Sequence, residues 1–256
     1  EAMEQQLKER GYEIVPFDEK ADVYIINTCS VTNIADRKSR QMLHRAKKLN
    51  PESVVVAAGC YVQVASEELK KDASVDIVIG NNKKAELADI LDEYLGNVHE
   101  EEEAEVFVTD LSHGSDYEAL HLEQPSDHTR AFIKVQDGCN QFCSYCIIPY
   151  LRGPYRSVPM EQLLAEAREL AENGVRELIL VAQETTLYGT DIYGKKSLHL
   201  LLKELCKIKG IRWIRVQYCY PEEIYDELIQ TMKEEPKVCN YLDLPIQHAS
   251  DRILKR

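Results

Sequence analysis

The sequence has no long hydrophobic run and little positive charge. No apolar stretch reaches the about 18 residues that a membrane helix needs, so we expect no membrane span. Acidic residues outnumber basic ones 44 to 31 and the formal net charge is −13. Any site for a polyanion must therefore be a local patch. No secretory leader is visible, although Glu1 already lies in a helical pattern, so we expect the natural start to lie upstream.

The eight cysteines have the spacing of metal ligands rather than of disulfides, which predicts a reducing cytoplasmic location. Cys139, Cys143 and Cys146 fall within eight residues, and the nearest upstream histidine is His128. Structural zinc takes four ligands and a cubic iron–sulfur cluster takes four cysteines, so three thiols leave one iron open. This spacing requires a loop. A reduced, buried cysteine cluster or a partial zinc knuckle is the alternative interpretation.

The run QDGCNQFCSYCIIPYLRG around these cysteines resembles the signature loop of radical S-adenosylmethionine (radical SAM) enzymes. Within that group it is similar to the methylthiotransferases, and aromatic Tyr145 precedes the last cysteine as in the signature. The resemblance implies that Cys139, Cys143 and Cys146 hold a [4Fe–4S] cluster whose open iron binds S-adenosylmethionine. It also implies that reductive cleavage of this cofactor produces a 5′-deoxyadenosyl radical.

Residues 1–96 alternate between predicted helices and strands, which indicates an α/β domain with a parallel sheet. We expect helices at residues 1–11, 32–49, 66–71 and 83–94, and strands at residues 12–17, 21–28, 53–59 and 75–79.

Cys29 and Cys60 each directly follow a predicted apolar strand, so parallel pairing would bring both thiols to one edge of the sheet. Two buried core cysteines are the alternative. The runs NTC and AGC that end at these cysteines resemble two of the three cysteine motifs of the N-terminal methylthiotransferase domain. The resemblance implies a second, auxiliary [4Fe–4S] cluster on Cys29, Cys60 and a cysteine upstream of residue 1.

Residues 97–128 read as a linker, with an acidic run at 100–103 and one short strand at 105–109. Residues 129–256 form a second predicted domain of four strand–helix units, with strands at 131–135, 176–182, 211–217 and 241–246. The resemblance implies the beginning of an open (βα)6 radical SAM barrel that is truncated in this chain.

Polar side chains follow the second and fourth of these strands. Gln183 and Glu184 follow the second strand, and Gln247 and Ser250 follow the fourth. By resemblance these residues, together with Tyr145, would contact the S-adenosylmethionine cofactor. Polar residues in such loops are also common without any function.

The two halves of the chain resemble different methylthiotransferases. Residues 1–157 are similar to the threonylcarbamoyladenosine tRNA enzymes through the runs DVYIINTCSVTN, ADRKSR and TRAFIK. From residue 158 the runs AQETTLYG and YLDLPIQHAS resemble the ribosomal protein S12 enzymes. A natural hybrid, a divergent third subfamily and a joining artefact would all give this pattern.

The longer half favours tRNA, and the implied reaction adds a methylthio group to N6-threonylcarbamoyladenosine at tRNA position 37. The alternative acceptor is an aspartate of ribosomal protein S12. Either reaction needs an electron donor such as flavodoxin or ferredoxin.

The predicted helix after Cys29 has one acid and six cations, which makes it a candidate contact for a nucleic-acid backbone or simply a solvated face. The cations are Arg37, Lys38, Arg40, Arg45, Lys47 and Lys48. A non-catalytic iron–sulfur protein, a zinc-binding RNA module and an inactive hybrid fragment remain alternatives from other classes.

Overall fold

The computed structural model describes residues 2–30, 32–99, 103–111 and 129–255. The chain forms two compact units, Glu1–Leu120 with Asn140–Pro154, and His121–Cys139 with Tyr155–Arg256. The predicted domain limits, 1–96 and 129–256, remain a prediction. Most of the predicted linker, residues 100–102 of its acidic run and His128 lie outside the described residues.

The first unit contains a four-stranded sheet in the order β1-β2-β3-β4, with every neighbouring pair parallel. Its strands are β1 Val23–Thr28, β2 Val54–Gly59, β3 Ile77–Ile79 and β4 Glu105–Phe107. Its helices are α1 Ala2–Glu9, α2 Asn33–Leu49, α3 Cys60–Lys70, α4 Leu87–Gly96 and, from the later segment, α5 Ile148–Arg152. A short 3-10 helix, Lys84–Glu86, leads into α4.

Alternate residues of the central strand β2 pack into two separate hydrophobic cores, one on each face of this sheet. Val55 and Ala57 pack with Leu43 of α2 and Leu69 of α3. On the other face, a second core contains these residues: Val56, Ala58, Ile77, Ile79, Leu87, Leu91 and Leu7. Helices therefore cover both faces, which explains why the strands are apolar throughout rather than alternating with polar residues.

The boundaries of α2 follow local chemistry that the sequence makes visible. The Thr32 hydroxyl accepts a hydrogen bond from the Ala35 backbone N–H at 3.1 Å and caps the helix. At the other end, the backbone N–H of Asn50 donates to Ala46, and Pro51 follows. The predicted helix over residues 32–49 is confirmed.

The structure differs from two predictions for the first unit. Residues 12–17 form no strand, because Pro16 interrupts the segment and its aromatic side chains bind elsewhere. The Tyr12 hydroxyl donates to Asp92 at 2.5 Å, and the Phe17 ring packs edge-on against Tyr24. The helix predicted near residues 66–71 is present as the second part of α3, after a kink at Ala65, and the first part of α3, which begins at Cys60, was not predicted.

The second unit contains a three-stranded parallel sheet in the order β5-β8-β9 and a separate antiparallel pair, β6-β7. The strands are β5 Arg130–Lys134, β6 Gln136–Asp137, β7 Arg156–Ser157, β8 Glu177–Val181 and β9 Trp213–Val216. The helices are α6 Met160–Glu172, α7 Thr190–Tyr193, α8 Leu198–Cys206, α9 Asp226–Glu234 and α10 Asp251–Leu254. The α/β class with parallel sheets is confirmed.

The predicted fourth strand over residues 241–246 is not formed. The chain begins to pair with β9, since Ile214 N–H donates to Lys237 O at 2.8 Å and Cys239 N–H donates to Ile214 O at 2.9 Å. Asp243 then accepts bonds from beyond the end of β9, at its carbonyl from Cys219 N–H and at its carboxylate from Tyr218 N–H. These bonds replace the regular ladder, so only three of the four predicted strands exist. Among the described residues, no helix is both long enough and apolar enough to cross a bilayer.

Candidate functional site

The three-cysteine loop is irregular, as its spacing predicted, because no residue from 138 to 147 lies in a helix or strand. Cys146 N–H donates to Cys143 O at 2.9 Å, which closes a turn between these two cysteines. Phe142 adopts a left-handed backbone with φ of 47°, and the side chain of Tyr145 is 80% exposed. Cys139 is buried and lies two residues after the end of β6.

The donor chemistry of this loop fits an iron–sulfur cluster with one open iron. The loop supplies three thiols and no fourth cysteine or histidine. In the ranges that the structure describes, no three His, Cys, Asp or Glu side chains are gathered as ligands around one point. The fit therefore rests on the identity and order of the donors, and the roles of Cys139, Cys143 and Cys146 remain a prediction.

Cys29 and Cys60 lie at one edge of the first sheet, as expected. β1 and β2 are paired up to Thr28 and Gly59, so the two cysteines follow directly opposed residues. Cys29 is exposed, and its backbone N and O each lie 3.4 Å from the Ser39 hydroxyl of α2. Cys60 is 5% exposed and begins α3. Two thiols at adjacent strand ends fit a shared cluster that needs further ligands.

Asn81 also lies at this edge, and no motif in the sequence pointed to it. It follows β3, the next strand in the sheet, and its side-chain amide contacts the Cys60 thiol, with Nδ2 3.5 Å from Sγ. The contact results from the strand order, which places the ends of β1, β2 and β3 next to one another.

Gln183 and Glu184 lie at the carboxyl end of β8, where parallel sheets bind their ligands. Glu184 is 3% exposed, and its Oε1 accepts bonds from Thr186 N–H at 3.0 Å, Tyr220 N–H at 3.3 Å and the Thr186 hydroxyl. Burial raises the pKa of Glu184 to about 7. Gln183 Oε1 is buried without a hydrogen-bond partner among the described residues, which leaves an acceptor for a ligand.

The bonds described for Gln247 and Ser250 join them to residues of their own loop. Gln247 Nε2 donates to Pro245 O at 3.3 Å, and Ser250 N–H donates to His248 Nδ1 at 2.9 Å. Both bonds are local to the loop between Asp243 and α10. The cofactor contacts predicted for Gln183, Glu184, Gln247, Ser250 and Tyr145 remain predictions.

The sequence matches two families. Residues 1–80 match "Uncharacterized protein family UPF0004", and residues 133–256 match the "Radical SAM superfamily". The second match implies one [4Fe–4S] cluster and S-adenosylmethionine as cofactors.

Among curated proteins, the chain is similar to two kinds of methylthiotransferase. It is 44% identical over 254 residues to the ribosomal protein uS12 methylthiotransferase RimO of Lachnoclostridium phytofermentans, covering 98% of this chain and 56% of the relative. It is 41% identical over 247 residues to the threonylcarbamoyladenosine tRNA methylthiotransferase MtaB of Aquifex aeolicus, covering 96% of this chain and 59% of the relative. The chain therefore spans little more than half the length of these relatives.

Solved structures with the same fold are distant in sequence. The radical S-adenosylmethionine methyltransferase TsrM from Kitasatospora setae is 15% identical with a TM-score of 0.61, covering 98% of this chain and 52% of TsrM. The cobalamin-dependent S-adenosylmethionine radical enzyme OxsB is 11% identical with a TM-score of 0.59, covering 99% of this chain and 38% of OxsB. The two matched families and the curated relatives agree with the cysteine motifs, and together they match the chain to the radical SAM methylthiotransferase family.

Proposed function

We propose that the protein is a methylthiotransferase that modifies N6-threonylcarbamoyladenosine at tRNA position 37. The observation that supports tRNA is the exposed cationic face of α2, in a protein whose formal net charge is −13. The proposal covers the full-length protein, whose relatives are nearly twice as long as this chain.

In this proposal Cys139, Cys143 and Cys146 hold one [4Fe–4S] cluster, and Cys29 and Cys60 contribute ligands to a second, auxiliary [4Fe–4S] cluster. When bound, the cluster and S-adenosylmethionine supply a radical that removes hydrogen from a carbon whose C–H bond is too weakly acidic for a general base. The chain positions the cofactor and excludes water. The proposed cofactor contacts are Tyr145, Gln183, Glu184, Gln247 and Ser250, and Gln183 supports this role with a buried Oε1 that has no hydrogen-bond partner among the described residues.

The cations of α2 divide into two groups. Three bind other residues of the first unit: Arg40 donates to the Tyr61 hydroxyl at 2.9 Å, Arg45 pairs with Asp18, and Lys47 lies 2.8 Å from Asp76. The remaining cations, Arg37, Lys38 and Lys48, are exposed and make no ion pair among the described residues. These three are available to phosphates, and such contacts give salt-dependent affinity for RNA.

Ribosomal protein S12 is the second candidate acceptor, and a different observation favours it. The S12 enzymes reach 44–45% identity to this chain, against 41% for the tRNA enzyme. A difference of this size does not decide between two subfamilies of one family.

One experiment separates the two acceptors. The full-length gene is expressed in cells that lack methylthiolation of both tRNA and S12, and both products are analysed by mass spectrometry from the same culture. A methylthio group on N6-threonylcarbamoyladenosine supports the proposal, and one on S12 alone overturns the choice of acceptor. The Cys143→Ala variant serves as the negative control.

A non-catalytic iron–sulfur protein and an inactive hybrid predict a different result. Purified protein is incubated with S-adenosylmethionine and either dithionite or a flavodoxin or ferredoxin system, since we propose such a protein as the electron donor. The enzyme releases 5′-deoxyadenosine, whereas a carrier does not. An inactive hybrid releases it slowly and modifies neither acceptor. We place these reactions in the cytoplasm because the five proposed ligand cysteines stay free of disulfides in a reducing compartment.

A further inference from the structure

Asn81 lies against the thiol of Cys60 in the interior of the first unit. Its side chain is 7% exposed, with Nδ2 3.5 Å and Oδ1 3.8 Å from Cys60 Sγ. Both ends of the amide therefore face one sulfur, and that sulfur belongs to a cysteine at the candidate auxiliary site.

Other bonds fix which way this amide points. Asn81 Nδ2 donates to Leu151 O of α5 at 3.1 Å, which identifies the nitrogen end. Asn81 backbone N–H donates to Gln63 Oε1 at 3.2 Å, and Gln63 Nε2 donates to Thr109 O at 2.6 Å. A Cβ at Gly80 would lie 3.0 Å from Gln63 Oε1, so a side chain there would crowd the amide of Gln63. Asn81 is thus held by contacts from α3 and α5.

The state of the sulfur decides which contact persists. A thiol can donate to Oδ1, whereas a thiolate or a metal-bound cysteine only accepts. One N–H of Nδ2 is used by Leu151, and the second remains for Cys60. The second N–H of Asn81 Nδ2 is therefore placed to donate to Cys60 Sγ when that sulfur ligates a metal.

We propose that Asn81 is a positioning residue for an auxiliary cluster, donating an N–H bond to the sulfur of Cys60. The inference rests on the auxiliary cluster that the proposed function includes. Reduction of a cluster adds negative charge to its sulfurs, so a donor at Cys60 favours the reduced state and raises the reduction potential. Partners of metal ligands also affect retention of the metal, commonly by about 10- to 100-fold.

The same residue connects Cys60 to the segment that follows the three-cysteine loop. Leu151 lies in α5, which begins two residues after Cys146, and its carbonyl shares the amide nitrogen of Asn81. Loss of Asn81 removes both bonds at once, which predicts a weaker hold on α5 as well as on Cys60.

The test uses the full-length protein with Cys139, Cys143 and Cys146 all replaced by alanine, so that any remaining cluster is the auxiliary one. In this background Asn81→Ala removes the amide, and Asn81→Asp keeps its shape but not the N–H. Asn82→Asp is the matched control, because it introduces the same charge one residue away. Iron content, the midpoint potential from an EPR-monitored redox titration and the rate of iron release to a chelator are measured.

We expect both Asn81 variants to shift the midpoint potential to more negative values and to release iron about tenfold faster. If Asn81→Ala does not fold, the same measurements are compared between Asn81→Asp and Asn82→Asp. An unchanged potential and release rate in the Asn81 variants, or an equal change in Asn82→Asp, overturns the inference. If the parent background binds no iron, the auxiliary cluster itself is wrong, which is a separate outcome.

Discussion

Thr28 and Gly59 are directly paired at the ends of the parallel strands β1 and β2. Cys29 and Cys60 are the next residues of the two chains and therefore leave the sheet at neighbouring positions. Gly59 has a φ of 106°, and a Cβ there would lie 2.6 Å from the Thr28 carbonyl oxygen. The close approach and the backbone conformation both require glycine. The position of Cys60 therefore depends on the residue before it.

We predict that Gly59→Ala destabilises the first unit by about 1–3 kcal/mol, because the strand ends must separate. Urea unfolding of the full-length apoprotein measures this effect. Gly96→Ala is the control, since an added Cβ at Gly96 meets nothing within 4 Å and alanine favours a helix. Equal stability of the two variants would contradict the packing argument.

The same edge shows what the sequence could and could not predict. Apolar strands and the Thr32 cap were visible as local patterns, so β1, β2, α2 and the proximity of Cys29 to Cys60 followed from them. The contact between Asn81 and Leu151 spans 70 positions and depends on how α5 packs, which no local pattern encodes.

The second unit shows a related limit. Residues 241–246 have the composition of a strand, but Asp243 accepts bonds from the turn after β9, so tertiary contacts overrode local preference. The strand predicted over residues 12–17 is absent for the same reason, because the Tyr12 side chain binds Asp92 in a tertiary contact.

For the cluster loop, we predict that Cys143→Ala abolishes release of 5′-deoxyadenosine and lowers the iron content of the full-length protein. The physical reason is that two thiols cannot hold a cubic cluster in place of three. Cys206→Ala is the control, because burial raises the pKa of the Cys206 thiol to about 11 and keeps it protonated. Unchanged cleavage in Cys143→Ala would remove this loop from the mechanism.

Glu184 gives a prediction about pH. Burial raises its pKa from 4.5 to about 7, so between these values the folded state holds a proton that the unfolded state has released. Stability therefore falls as pH rises from about 4.5 to about 7 and levels off above that range. A shift of this size corresponds to at most about 3 kcal/mol.

We expect Glu184→Gln to remove this slope, since glutamine remains neutral and its Oε1 can still accept from Thr186 and Tyr220. The free energy of unfolding is measured from pH 4.5 to pH 8 for both proteins. The variant should be more stable than the parent at pH 8 and similar at pH 4.5. Parallel curves would show that Glu184 is ionised in the folded protein.

The last prediction concerns the exposed cations of α2 and tests whether tRNA is the acceptor of the methylthio group. Replacing Arg37 and Lys38 together with glutamate should weaken tRNA binding by the full-length protein, because both cations are exposed and make no ion pair among the described residues. Each lost phosphate contact should also reduce the slope of log affinity against log salt by about 0.9 for duplex and 0.7 for single strands. Fluorescence anisotropy at several salt concentrations measures both effects.

A control for net charge alone is the double replacement of Lys195 and Lys209 with glutamate, which makes the same charge change on exposed residues of the second unit. Only the α2 variant should lose both affinity and salt slope, because these effects require phosphates at those positions rather than a more acidic protein. If both double variants weaken binding equally, the attraction is non-specific. If neither does, α2 is a solvated face, and ribosomal protein S12 becomes the better-supported acceptor.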